Sequence, residues 1–210
     1  MLISILIPTL VERKGKFLEL LHGLERQINK HDLKKKVEII SICDNRTIPL
    51  STKRNMLQKL SNGKYFTHLD DDDELSHNYC KTVVDHIEKM QGTEGSVDVI
   101  TYDQKCFVCD SKFIVKSSLN YPTNLIACGN QLDPDGKINK EIEAFIRFPW
   151  QYSLWSEKFK KVYRSDSDTN AQEDINWLKK VKLEYPKTSS NIDFIGHIYH
   201  FEDPSLSTCQ

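Results

Sequence analysis

Four consecutive aspartates, Asp70–Asp73, form the densest group of chemically capable side chains in the sequence. The stretch before them, Tyr65–Leu69, is rich in strand-forming residues, and Asn62 and Gly63 interrupt the chain ahead of it. This pattern predicts a short buried strand that ends at the carboxylates. Carboxylates about 4 Å apart repel each other by roughly 1 to 4 kcal/mol per pair, so the run requires a compensating charge.

A divalent cation is the simplest compensation for the aspartate run. Hard ions such as Mn²⁺ and Mg²⁺ bind carboxylate oxygens, and an ion held by one or two carboxylates keeps coordination positions for phosphates. The alternative is a solvated acidic loop without a ligand. Because a buried strand leads directly into the run, we expect a metal and phosphate site there.

Two histidines, His197 and His200, lie in the last apolar stretch, Ile192–Phe201, which predicts a strand. Residues three apart in a strand point to opposite faces, so only one of them can reach an ion at the aspartate run. We expect His200 to be that metal ligand. A ligand role for His197, or for neither histidine, is the alternative.

A second acidic pair, Glu173 and Asp174, opens a predicted helix over Ala171–Leu183. The positive end of the helix dipole favours acids in the first turn, which is a purely structural explanation for both. A carboxylate within hydrogen-bond reach of a substrate hydroxyl can instead remove its proton as a general base. The two explanations stay open at this point.

Strands and helices alternate through the first hundred residues. The predicted strands are Leu2–Ile7, Val37–Cys43, Tyr65–Asp70 and Val97–Tyr102, and the predicted helices are Lys16–Asn29, a segment capped at Ser51 or Thr52 and ending at Leu60, and Ser76–Gln91. This alternation predicts a parallel sheet whose ligands bind beyond the carboxyl ends of the strands, where Thr9, Asp44 and the aspartate run fall. Neither a G-x-G-x-x-G turn nor a G-x-x-x-x-G-K-[ST] loop is present, so the usual dinucleotide fold and the P-loop are not predicted.

The second half of the chain lacks this alternation. Cys106–Ser117 predicts a hairpin turning at Asp110 and Ser111, and Asp133–Gly136 predicts a turn. The aromatic residues between Phe148 and Trp155 could stack on a sugar ring, but a place in the core is the expected role. The pair Cys106 and Cys109 lacks a second pair that would complete a zinc site.

The composition suits one domain of 210 residues with a sizeable core, since 39% of the residues are hydrophobic. A net charge of -1 gives no general attraction to nucleic acid or to an anionic membrane. No stretch is long enough to span a bilayer. The six cysteines are scattered, which predicts reduced thiols in a soluble cytoplasmic protein.

The order of these segments resembles the GT-A nucleotide-sugar glycosyltransferases, especially the family 2-like group. The segments that carry the resemblance are ISILIPTL, Asp44 at a strand end, the pair Arg54 and Asn55, YFTHLDDDDEL and AQEDINWLKK. Leu69–Asp73 is similar to the L-D-x-D-D metal sequence of the family, and Glu173-Asp174 is similar to its acceptor-side E-D pair. A closer similarity is to the N-terminal domains of multidomain glycosyltransferases encoded by large algal viruses, which implies the host cytoplasm and further C-terminal domains.

The resemblance implies an α/β fold of the GT-A type, with a mixed, mostly parallel central sheet flanked by helices and a smaller antiparallel acceptor-side region. Residues 1–210 then form a single domain, with a nucleotide-sugar half up to about 104 and an acceptor half from about 105. The implied nucleotide-binding residues are Pro8, Thr9, Leu10, Asp44, Arg54, Asp70 and Asp71. The implied metal ligands are Asp70 and Asp72, and the implied acceptor-side residues are Glu173 and Asp174, with Asp174 as the general base of an inverting reaction.

The implied activity is the Mn²⁺- or Mg²⁺-dependent transfer of one hexose-type sugar from a UDP-sugar to a hydroxyl of a saccharide or glycoprotein glycan. The sequence departs from the family at Asp44–Thr47, which replaces D-D-G-S, and it lacks the glycines before Arg54, so the base and the exact donor stay open. The absence of Q-x-x-R-W argues against a processive synthase. A metal-dependent nucleotidyltransferase and a non-catalytic carbohydrate-binding module are the alternatives.

Overall fold

The computed structural model describes residues 1–93, 95–108, 111–123, 126–128, 144–165 and 172–201. Within these residues the strands are β1 (Ile3–Leu10), β2 (Val37–Asp44), β3 (Tyr65–His68), β4 (Glu74–Leu75), β5 (Val99–Val108), β6 (Ser111–Ser117), β7 (Ile126–Cys128), β8 (Ala144–Arg147), β9 (Leu154–Ser156) and β10 (Ser189–Phe201). The α-helices are α1 (Lys14–Lys30), α2 (Leu50–Leu60), α3 (Tyr79–Thr93) and α4 (Glu173–Leu183). None of the described helices is long and apolar enough to cross a membrane.

One mixed sheet has the strand order β2-β1-β3-β9-β5-β6-β8-β7, and β10 pairs with both β4 and β5. Strand β1 runs parallel to β2 and β3, and β10 runs parallel to β5. The short strand β9 lies antiparallel between β3 and β5. The predicted largely parallel central sheet with flanking helices is therefore confirmed. So is the hairpin of β5 and β6, whose turn residues 109 and 110 lie outside the described residues.

The unbroken apolar run of β1 follows from its central place in the sheet. Ile3, Ile5 and Ile7 point into a core layer formed with α1 and α3, and Leu6 points to the opposite layer with α2 and α4. Both faces of the strand are covered, so every position from 3 to 7 is buried. Each such aliphatic side chain contributes about 1.5 to 3 kcal/mol when it is removed from water.

The aromatic residues of the second half lie mainly in the core, as expected. Trp155 on β9 is fully buried and makes edge contacts with Phe159 and Trp177. Tyr152 and Phe148 are also buried. The sequence pattern missed β9 because three residues are too few to show a strand period, although this strand inserts into the middle of the sheet.

The carboxyl ends of the first three strands meet at one edge of the sheet. Leu10 lies beside Asp44, and the backbone N–H of Leu69 donates to the carbonyl of Leu6, so the aspartate run begins level with the end of β1. The N-terminal halves of α2 and α4 face the same edge, because Arg54 and Asp174 are hydrogen-bonded there. The parallel register thus gathers segments that are far apart in sequence.

Candidate functional site

A cleft of about 1460 Å³ opens at this edge of the sheet. Of the residues that the sequence predicts for the site, those lining the cleft are Pro8, Thr9, Leu10, Arg54, Asp70, Asp71, Asp72, Glu173, Asp174 and His200. Asp44 is not among the described residues that line it. The cleft therefore collects all but one of the predicted site residues.

Arg54 joins the two acidic segments of the site. Its buried guanidinium donates to Asp70 Oδ1 at 2.7 Å and to Asp174 Oδ1 at 2.9 Å, and its Nε lies 3.1 Å from Glu173 Oε1. Burial alone lowers the pKa of Arg54, but these carboxylates outweigh that effect and raise it. A cation from α2 thus links the segment after β3 to α4, which lies 120 positions from Arg54 along the chain.

Glu173 is buried between the side chains of Arg54 and Arg164. Its side chain is 1% exposed, and its second oxygen contacts Nε of the buried Arg164. Burial raises the pKa of Glu173, but the two guanidiniums lower it below its ordinary value. The resemblance implies that Glu173 acts beside Asp174 at the acceptor, whereas its burial between two arginines favours a positioning role.

Asp174 is the accessible member of the acidic pair. Its side chain is 25% exposed, and one oxygen accepts the hydrogen bond from Arg54. Burial raises the pKa of Asp174 to about 7; Arg54 opposes this rise and Glu173 adds to it. A carboxylate with a pKa near the working pH is suited to take a proton from a hydroxyl.

The aspartate run has cationic partners that its sequence neighbourhood does not show. Arg13, from the turn before α1, contacts Asp71 at 2.7 Å and Asp72 at 2.6 Å. Lys16 lies 3.8 Å from Asp72, and the Thr9 hydroxyl donates to Asp71 at 2.7 Å. The charge repulsion predicted from the sequence is therefore offset in part by protein cations rather than by an ion alone.

Asp73 lies next to a buried hydrogen-bond chain. The Tyr152 hydroxyl donates to Gln104 Oε1, so the amide nitrogen of Gln104 faces Nδ1 of His197 at 2.9 Å. An amide NH₂ can only donate, which leaves Nδ1 as acceptor and puts the proton of a neutral His197 on Nε2. That nitrogen lies 2.9 Å from Asp73 Oδ1, but the geometry of the pair does not make a hydrogen bond.

His200 does not join the aspartates. It is 43% exposed and lies 3.0 Å from Glu74, with its ring stacked on Phe107. His197 and His200 point to opposite faces of β10, as the strand period predicts, but the inward residue is His197. The predicted ligand set of Asp70, Asp72 and His200 is therefore not assembled.

The described residues contain no group of three His, Cys, Asp or Glu side chains able to hold a metal ion. A nucleotide-borne Mg²⁺ or Mn²⁺ needs only one or two carboxylates, because phosphate oxygens and water complete its shell. The Asp72 side chain is 43% exposed at the cleft. The donor chemistry of Asp72 therefore fits an ion that arrives with a diphosphate, and the structure shows no preformed site for an ion alone in the part it describes.

Asp44 does not line the cleft but is bound to residues that do. Its Oδ2 accepts the backbone N–H groups of Thr47 and Ile48, both at 2.7 Å, and its Oδ1 accepts Nζ of Lys53 at 2.6 Å. Burial raises the pKa of Asp44, but these hydrogen bonds lower it to about 2. The resemblance implies a direct contact with the nucleobase, whereas this carboxylate is occupied by its own turn and by a lysine.

Sequence reasoning missed several members of the site: Arg13, Lys16, Lys53 and Arg164. Lys53 had one usable signal, because a cation in the first turn of a helix opposes the helix dipole. Arg13, Lys16 and Arg164 had no local signal. Their partners are distant in sequence, so only the tertiary structure pairs them.

The fold and this geometry can be compared with known proteins. No family model and no curated protein matches the sequence. The crystal structure of S. aureus TarS 1-349 aligns with a TM-score of 0.60, at 15% identity over 95% of this chain and 60% of that chain. The chain has a fold similar to that of the TarS glycosyltransferase.

Two further TarS structures give the same result. The complex of TarS 1-349 with UDP-GlcNAc aligns with a TM-score of 0.59, at 15% identity over 99% of this chain and 61% of that chain. The complex with UDP aligns at 0.57, with 14% identity over 95% of this chain and 60% of that chain. This chain spans about 60% of the TarS chains in these structures.

Proposed function

We propose that this protein is a nucleotide-sugar glycosyltransferase that uses a UDP-sugar and transfers one hexose-type sugar to a hydroxyl of a saccharide or glycan. The observation that carries the proposal is the shared contact of Arg54 with Asp70 and Asp174 in one cleft. Through this contact Asp70, at the end of the sheet where the nucleotide is expected, lies near Asp174, whose carboxylate is suited to removing a proton. TarS, which shares the fold, has been crystallised with UDP-GlcNAc.

In this proposal the nucleotide lies across the ends of β1 and β2, near Pro8, Thr9 and Leu10. The diphosphate points toward Asp72, whose carboxylate would hold Mn²⁺ or Mg²⁺. When bound, such an ion would supply positive charge for the leaving diphosphate. Arg54 keeps Asp70 and Asp174 in fixed positions around the reacting centre.

Asp174 is the general base of an inverting transfer. It takes the proton of the acceptor hydroxyl while the hydroxyl oxygen bonds to the anomeric carbon and the bond from that carbon to UDP breaks. Glu173 holds Arg54 and the first turn of α4, so it positions Asp174 rather than moving a proton itself. Such a base is worth typically about 10²- to 10⁴-fold in rate.

The test is to incubate the protein with UDP-GlcNAc, other UDP-hexoses and a panel of saccharides, with Mn²⁺ or with EDTA. Release of UDP and formation of a glycosylated product support the proposal. Release of pyrophosphate from a nucleoside triphosphate would favour a nucleotidyltransferase. Saccharide binding without release of any nucleotide would favour a carbohydrate-binding module.

A further inference from the structure

Lys53 occupies an unfavourable place for a cation. It lies in the first turn of α2, whose dipole is positive at that end, and only 4% of the residue is exposed. Burying an ammonium group costs free energy unless it is paired and hydrogen-bonded. A lysine held in such a place calls for an explanation beyond the stability of the helix.

The ammonium group of Lys53 pairs with Asp44, and Lys53 is the one of these two residues that lines the cleft. Its Nζ donates to the Thr9 carbonyl at 3.2 Å and to Asp44 Oδ1 at 2.6 Å. An ammonium group carries three N–H donors, and the described residues provide these two acceptors. Lys53 lines the cleft and Asp44 does not. The group that this corner offers to a ligand is therefore a donor, not a carboxylate.

Two further hydrogen bonds fix the carboxylate of Asp44 next to Lys53. Its Oδ2 is occupied by the backbone N–H groups of Thr47 and Ile48. The carboxylate thus fastens the turn that leads into α2 and aims the ammonium group of Lys53. Asp44 is a positioning residue in this arrangement.

The walls around Lys53 suit a flat aromatic base. The apolar residues that line the cleft at this corner are Pro8, Leu10, Ile48, Pro49 and Leu50. The charged groups of the aspartate run and Arg54 lie at the neighbouring end of β3. A nucleotide therefore fits with its base against Lys53 and its diphosphate toward the aspartates.

We propose that Lys53 is the residue that reads the nucleobase, by donating its third N–H to the O4 carbonyl of uracil. This inference rests on the proposed nucleotide-sugar function and specifies how the donor is chosen. Cytosine carries an amino group where uracil carries O4, and two donors cannot pair. The site then selects UDP over CDP through a lysine donor.

The test uses calorimetric titration of UDP, CDP and 4-thio-UDP into the full chain and its Lys53→Met variant, in one Mn²⁺-containing buffer. We expect the wild type to bind UDP at least about tenfold more tightly than CDP, as a charged hydrogen bond permits. Lys53→Met should lose about that factor for UDP and bind UDP and CDP almost equally. Because sulfur is a weak acceptor, 4-thio-UDP should bind the wild type weakly and show little further loss in Lys53→Met.

Three further variants serve as controls for this test. Lys59→Met makes the same change at an exposed position of the same helix and should alter none of the affinities. Lys53→Arg keeps the charge and should retain a preference for UDP. If Lys53→Met does not fold, the double variant Asp44→Asn/Lys53→Met removes both charges, keeps an oxygen for the 47–48 turn, and should also bind UDP and CDP equally.

The results that would contradict the proposed function differ from those that would contradict only the role of Lys53. A wild type that binds none of the nucleotides with or without Mn²⁺ contradicts the proposed function itself. A wild type that binds UDP and CDP equally, or a folded Lys53→Met that keeps the original UDP preference, overturns the role of Lys53 alone. Equal sensitivity of wild type and Lys53→Met to 4-thio substitution also overturns it.

Discussion

At the scale of single residues, the site depends on one guanidinium that serves several carboxylates. Arg54 contacts Asp70, Glu173 and Asp174, and these acids differ in exposure. Glu173 is sealed between two arginines, whereas Asp174 is open to the cleft. The difference in environment assigns different roles to neighbouring carboxylates in the same helical turn.

Replacing Asp174 by Asn should reduce sugar transfer by at least about 10²-fold, because an amide cannot take the acceptor proton. The amide oxygen can still accept the hydrogen bond from Arg54, so the fold and the affinity for UDP-sugar should be retained. Initial rates and calorimetry measure the two effects separately. Asp85→Asn, at an exposed position of α3, is the matched control. A variant that keeps more than about a tenth of the rate would remove Asp174 from catalysis.

The pH dependence of transfer should show a limb near pH 7. Asp174 must be deprotonated to act as a base, and burial raises its pKa to about 7, so kcat/KM should increase as the pH rises through that region. The Asp174→Asn variant should lose this limb. If the limb persists in that variant, it belongs to another group, such as Asp70, whose pKa burial also raises to about 7.

At the scale of secondary-structure elements, buried ion pairs fasten α4 to α2 and to the segment that carries Arg164. Arg164 contacts Glu173 and also donates to Gln58 on α2 at 2.9 Å and to Gln151 at 3.0 Å. The division at about residue 104 does not separate the sheet, because β9 and β10 pair with β3, β4 and β5. A functional division into a nucleotide half and an acceptor half stays a prediction.

Replacing Glu173 by Gln should lower the free energy of unfolding by about 3 kcal/mol, because two buried guanidiniums lose a shared counter-charge. Glu184→Gln is the control: it makes the same change in the exposed pair of Glu184 with Lys161, and such pairs are worth about 0 to 1 kcal/mol. Urea unfolding of both variants measures the difference. Equal effects of the two changes would show that the buried network does not hold α4 in place.

At the scale of the whole molecule, the chain shares a fold with TarS at a TM-score of 0.60 while only 15% of the residues are identical. A shared fold at this identity means that the same arrangement of strands and helices can form from largely different residues. The similarity to proteins of algal viruses and the cytoplasmic location stay predictions.

Nucleotide binding should stabilise the folded chain in a metal-dependent way. At a hundredfold excess of UDP over its Kd the gain is about 2.7 kcal/mol, which is on the order of 5 to 10 °C in Tm for a chain of this size. We expect EDTA or Asp72→Asn to reduce this shift, and Asp85→Asn to leave it unchanged. The same shift in Mn²⁺ and in EDTA would contradict a role for the metal in nucleotide binding.

The sequence by itself determined the four helices, most of the longer strands and the edge of the sheet that carries the site. Apolar runs, helical periodicity and the position of the aspartates after β3 are local properties, because each depends on residues within a few positions of one another. They predicted β1, β2, β3 and β5, the helices α1 to α4, and the placement of Thr9, Asp44 and the aspartate run beyond the strand ends, whereas Asp174 was assigned to the site only by the resemblance. The predicted ends of helices and strands differ from the observed ones by a few residues. For example, β10 begins at Ser189 rather than at the predicted Ile192.

Only the tertiary structure decided what each of these side chains contacts. The partners of the aspartate run, Arg13 and Arg54, and the placement of His197 rather than His200 next to Asp73 depend on strand register and helix orientation. The same holds for the buried ion pair of Lys53 with Asp44. Ion pairs act at a few ångströms between residues that are distant along the chain. Their pairing becomes defined only when packing has fixed the elements that carry them.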